Sequence, residues 1–248
     1  GPLVAAVREE RGGAGSLLAM SLPGIVAALA IATVMPGFAR SADAAAPRRT
    51  GASAEHKPID RLAVGLLIVS TALRYLVGAS FAYYLPNLLT ARGLPLTATG
   101  AIVTAFLVAA ALGLYAGGAT ADRFGHANVA ILGLVASVPP LLLSLWAHGA
   151  LAVVALLLGS ALLSVQNAPG VALAQSLLPR NLGTALGLMN GVAFGLGSAG
   201  VAVVGIVVTR SGADTALALV AVIPLAAALT YALVARRLRG RGAEPSLP

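Results

Sequence analysis

The sequence predicts an all-α fold, a polytopic membrane helix bundle of about seven transmembrane helices, and three observations predict it. Of 248 residues, 58% are hydrophobic and only 10% are charged, and the mean hydropathy is +0.93. A soluble domain carries about 25% charged residues, so this chain has too few charges to wet its surface and lipid is its expected solvent. The apolar residues also fall in continuous runs, each long enough at about 1.5 Å per residue to cross a bilayer. These runs do not alternate apolar and polar with period two, as the strands of a membrane barrel would.

Seven spans are expected, at 16–38, 62–89, 97–119, 128–146, 151–177, 184–209 and 215–235. Between the first and second lies 39–61, polar and rich in Ala, Pro and charge, which reads as a flexible linker. The other connections are short, so consecutive helices are expected to be antiparallel neighbours. The chain thus divides into 1–38 with one span, the linker 39–61, a six-helix bundle at 62–235 and a basic tail at 236–248. The chain opens on Gly1-Pro2 with no initiator methionine, which reads either as a processing scar or as a start inside a longer protein.

Net charge is +8. In a soluble protein that balance would suggest nucleic acid, but here no basic run is interleaved with aromatics, and nucleic acid is not an expected partner. Arg40, Arg48, Arg49, Lys57, Arg61, Arg123, Arg180, Arg236, Arg237, Arg239 and Arg241 fall on one side of the spans, eleven in all. Arg8, Arg11, Arg92 and Arg210 fall on the other, four in all. The positive-inside rule then places the 39–61 linker and the C-terminus in the cytoplasm.

The chain has no cysteine, so disulfides, thiolate metal sites and cysteine nucleophiles are ruled out. His56, His126 and His148 fall in or beside loops without helical ligand spacing, so neither a metal nor a cofactor is expected. No acidic pair, zinc-binding helix, phosphate-binding glycine loop or nucleophile elbow appears, and an enzyme is not expected.

Arg74 is the most informative residue. It sits near the middle of the apolar run Leu62–Leu89. A guanidinium at mid-membrane costs from ~2.5 kcal/mol upward, and it cannot escape by losing its proton. It is tolerable facing a wet cavity or an internal partner, yet no Asp or Glu lies inside any expected span. One reading is an anion clamp, because the planar fork fits carboxylate or phosphonate oxygens two-pronged. The other is a structural arginine paired with backbone carbonyls, or with a carboxylate from residues outside this chain.

Gln166 and Asn167 precede Pro169 and Gly170 in the fifth apolar run. They read either as cavity-lining amides at a broken helix or as interhelical glue. Being adjacent, at most one is expected to point squarely inward. Asn87 either lines the outer mouth or begins a loop, while Tyr83 and Tyr84 beside it read chiefly as interfacial anchors. Gly183, Gly187, Gly191 and Gly195 recur every four residues and predict a smooth helix-packing stripe, extended by Gly113 and Gly117 on another span.

Residues 118–126 read Gly-Ala-Thr-Ala-Asp-Arg-Phe-Gly-His and join the third and fourth spans. Gly118 and Gly125 allow a tight turn, and Asp122 is expected to accept hydrogen bonds from a helix N-terminus. This segment resembles the loop signature of the major facilitator superfamily, G-x-x-x-D-R-x-G-R, matched by Gly118, Asp122, Arg123 and Gly125, with His126 in place of the last basic residue. Ala127 and Asn128 depart from the Arg/Lys that often follow. Over about 62–235, Arg74, Tyr84-Leu85-Pro86, Ala174–Pro179 and the glycine-rich Gly183–Gly200 resemble the fosmidomycin-resistance branch.

The resemblance implies a plasma (inner) membrane transporter of twelve helices, of which this chain holds the last seven or so. Residues 1–38 would then be the remnant of an N-terminal bundle otherwise missing here, and 62–235 the C-terminal bundle. It further implies alternating access, efflux of a small-molecule substrate and a proton as coupling ion. From the residues themselves, a non-transporting membrane scaffold or a truncated transporter fragment stands as the alternative.

Overall fold

A computed structural model describes residues 60–178 and 182–239. The expected span 16–38, nearly all of the 39–61 linker and most of the basic tail lie outside the described residues. Within them the fold is all-helical. We number α1 Arg61–Ala91, α2 Leu96–Phe124, α3 His126–Trp146, α4 Gly149–Ser164, α5 Asn167–Leu177, α6 Leu182–Gly187, α7 Ala193–Ser211 and α8 Ala213–Arg239, with a π-helical turn Leu188–Val192 between α6 and α7. α4 and α5 together form one span, as do α6, the π turn and α7, so the described residues hold six helical segments long and apolar enough to cross a membrane. These coincide with the last six expected spans.

The connections are tighter than expected. α2 passes to α3 through Gly125 alone, at φ +86°, and α7 passes to α8 through Gly212, at φ +83°. A side chain there would meet the left-handed penalty that glycine avoids. Short loops nevertheless do not make every consecutive pair close neighbours. The largest interfaces are α1 with α8, α3 with α4, α1 with α7, α3 with α8 and α2 with α4. Only α3 and α4 in that set are consecutive, because a short loop constrains two helix ends but not the faces they present.

An apolar surface surrounds the bundle. Leu112, Tyr115, Leu132, Val154, Val203, Leu219 and Leu229 are all well exposed, and a surface of this kind calls for an apolar partner, lipid or protein. Inside, Phe81 stacks on Phe106 at 6.4 Å, amid Val77, Leu134, Leu141, Leu156, Leu217 and Val220. Tyr84 is buried and donates to the Val201 carbonyl at 3.3 Å, so it is a packing residue and not an interfacial anchor. Tyr83 beside it is exposed.

Ion pairs join α1 and α8 at both ends. Asp60, the N-cap of α1, accepts from Arg237 Nε at 2.7 Å and from the Ala63 backbone N–H at 3.2 Å. At the opposite end Arg92 pairs with Asp214 and also donates to the Leu145 carbonyl. Ser70 adds a buried bond between them, donating to the Ala227 carbonyl at 2.7 Å.

Candidate functional site

α1 carries Arg74 into the interior. Thirteen residues separate Arg74 from the helix start, about 20 Å of rise, and the side chain is only 5% exposed. Its Nη2 donates to Asn167 Oδ1 at 3.5 Å, a long bond. Its guanidinium carbon lies 3.9 Å from the centroid of the Tyr75 ring, a cation–π contact. Arg74 Nε has no hydrogen-bond partner among the described residues. Among the described residues Asp and Glu occur only as Asp60, Asp122 and Asp214, all at helix ends. This buried charge therefore has no carboxylate at its depth.

The second element of the site is the α4–α5 break. Pro169 has no N–H for the Val165 carbonyl, and its ring crowds that carbonyl, so the helix stops at Ser164 and resumes at Asn167. Of the two adjacent amides Gln166 is buried and Asn167 only half-buried, so one points squarely inward, as expected. Gln166 and Asn167 line one cleft together with Thr71, Gly170, Val171 and Met189. Gln166 is 1% exposed, and among the described residues neither its Oε1 nor its Nε2 has a partner. A buried polar group left unpaired costs about 1–3 kcal/mol.

The third element was not legible in the sequence. The π turn Leu188–Val192 brings Met189 Sδ to the Thr71 hydroxyl, which donates to it at 3.6 Å, and Asn190 Oδ1 to the Tyr75 hydroxyl at 3.4 Å. Segment 71–75 of α1 is thus flanked by the broken α4–α5 helix on one side and by the π turn on the other. π turns arise where one extra residue is taken into a helix, and they recur at functional sites.

Asn87 is not part of this cluster. It is exposed in the last turn of α1, thirteen residues and about 20 Å of rise beyond Arg74.

The glycine stripe is also corrected. Gly183, Gly187, Gly191 and Gly195 are exposed, with nothing within 4 Å of a Cβ built on any of them, so among the described residues they pack on nothing. The extension of the stripe does pack closely, as expected: Gly113 and Gly117 meet the Ala161 and Val165 backbone of the α4 span; Gly197, outside the stripe, meets the Ala72 carbonyl and Tyr75 of α1. A repeat of four places residues along one side of a helix, but it does not say what that side meets.

At the 118–126 loop, Gly125 makes the expected turn, its N–H donating to the Ala121 carbonyl at 2.9 Å. Gly118 lies against Ala168, with a built Cβ 3.6 Å from the alanine methyl. Asp122 and Arg123 are exposed, and neither forms an ion pair among the described residues. No side chain caps the N-terminus of α3, so the contact expected of Asp122 is not made to that helix. Asp122 sits on the last turn of α2, before the chain reverses at Gly125, and points outward.

The family model described as Major Facilitator Superfamily matches residues 67–247. The chain is 29% identical over 244 residues to the Fosmidomycin resistance protein of Escherichia coli (strain K12), a match covering 94% of this chain and 58% of that protein. It is 35% identical over 133 residues to the uncharacterized MFS-type transporter YfnC of Bacillus subtilis (strain 168), covering 52% of this chain and 31% of that protein. The chain therefore spans little more than half the length of the first relative.

Proposed function

This chain belongs to the Major Facilitator Superfamily, and from that premise we propose that it supplies the C-terminal bundle of a secondary active transporter. The transporter expels a small solute that carries an anionic group, by alternating access. Its bilayer is the plasma (inner) membrane, with the 39–61 linker and the C-terminus cytoplasmic. The observation that carries the reading is Arg74, buried at mid-span and bonded to Asn167, with no carboxylate at its depth among the described residues. The bound anion neutralises the guanidinium that the fold leaves under-paired. Gln166 fixes the solute's orientation through its two unpaired amide atoms. The ion pairs at both ends of α1 and α8 support motion of those helices as one body.

The same reading uses a proton gradient for drive. Because the described spans hold no carboxylate at membrane depth, it assigns the proton-carrying group to the rest of the full-length protein. Fosmidomycin, after which the Escherichia coli relative is named, is the first substrate to test.

Everted vesicles carrying the full-length protein should accumulate fosmidomycin when energised and lose it on adding a protonophore. Arg74→Ala should lower affinity roughly ten- to a hundredfold, the worth of a buried charge-assisted hydrogen bond of about 1.5–3 kcal/mol. Arg74→Lys keeps the charge but loses the fork and should fall between. An unchanged rate per inserted molecule for Arg74→Ala would refute the clamp and leave Arg74 a structural residue.

A further inference from the structure

We infer that Tyr75 is the positioning residue of the anion site, holding the Arg74 guanidinium in place and tying it to the π turn. The inference rests on the reading of Arg74 as the anion-binding group. Among the described residues the geometry gives Arg74 one long hydrogen bond, to Asn167 at 3.5 Å, whereas its guanidinium carbon is 3.9 Å from the Tyr75 ring centroid. The ring is therefore the contact that fixes the plane of the fork. A guanidinium on an aromatic face keeps its edge N–H groups free for an anion.

The ring is itself held from α7 and the π turn. Phe194 meets it edge-on, centroids 5.2 Å apart at 86°. Gly197 lets α7 approach so closely that a Cβ there would come 2.7 Å from the Tyr75 Cβ. The Tyr75 hydroxyl donates to Asn190, and the neighbouring residue Met189 accepts from Thr71. A shift of the π turn therefore moves the Tyr75 ring, and with it the fork of Arg74. A solute held by Arg74 thereby senses the state of the α6–α7 span.

The test is fosmidomycin affinity, by calorimetry, of the purified full-length protein and its variants. Tyr75→Leu removes the ring and should weaken binding about two- to thirtyfold, the range of a cation–π contact from exposed to desolvated. Tyr75→Trp restores a ring and should recover most of that loss. Tyr75→Phe and Asn190→Ala each remove the hydroxyl link and should weaken binding about two- to threefold. The double variant of these two should do no worse than either alone. The decisive readout is coupling: Arg74→Ala with Tyr75→Leu should bind no more weakly than Arg74→Ala, because the ring acts through the arginine. If Arg74→Ala weakens binding while Tyr75→Leu binds normally or adds its full effect to Arg74→Ala, the positioning role is overturned and the anion site stands. If Arg74→Ala binds normally, or wild type does not bind, both readings fall.

Discussion

Replacing Gly113 with alanine should destabilise the bundle, although alanine is the better helix former. A Cβ at this position would lie 2.7 Å from the Ala161 carbonyl carbon and 2.8 Å from its Cα. Real Cβ atoms essentially never come within 3.0 Å of a neighbour. The atoms in the way are backbone, so no rotamer change relieves the contact, and α2 must move away from α4. That movement stretches the nearby bond from the Ser160 hydroxyl to the Phe106 carbonyl, now 2.9 Å. Overpacking of this kind costs about 1–3 kcal/mol, and an interhelical hydrogen bond in a membrane is worth about 0.6. Against these stands a gain of about 1 kcal/mol from replacing a helical glycine by alanine. The net loss is then about 0.6–2.6 kcal/mol. Thermal unfolding of the full-length protein in detergent micelles measures it, with Gly65→Ala as control. Gly65 lies in α1 with nothing within 4 Å of its built Cβ, so that variant should be neutral or slightly more stable. Gly117→Ala should behave like Gly113→Ala, since its Cβ would lie 2.8 Å from the Val165 Cα. Equal midpoints for Gly113→Ala and Gly65→Ala would refute the close-approach reasoning.

Two further outcomes are expected. Asp122 is exposed and unpaired by any ion among the described residues, so Asp122→Asn should leave the unfolding free energy within about 0.5 kcal/mol of wild type while lowering transport. Unchanged transport across substrate concentrations would make this loop a connector only. For orientation, cysteines placed at Ser53 and Ser246 should resist an impermeant thiol reagent in intact cells, and one at Thr90 should react. Labelling at Ser53 from outside would reverse the topology drawn from the eleven-to-four division of basic residues.

The sequence by itself determined the solvent, the helical class and the places of the six described spans. Transfer from water to lipid depends on the local run of side chains, so hydropathy marks each span without reference to its neighbours. Arg74 stood out for the same local reason, a charge where its surroundings forbid one. Pro169 marked the broken helix, because the missing N–H is a property of that residue alone. Only the tertiary structure decided which faces meet. Lipid tails are as apolar as leucine, so no hydrophobic bias tells one face of a membrane helix from another, and packing follows fine complementarity of shape. That is why the regular stripe Gly183, Gly187, Gly191 and Gly195 meets nothing among the described residues, while Gly113, Gly117 and Gly197 carry the close approaches. It is also why Tyr84 proved to be core, and why Gln166 and Asn167 share one cleft. The link from Tyr75 to Asn190 of the π turn joins residues more than a hundred positions apart, a relation that no local reading of the chain contains.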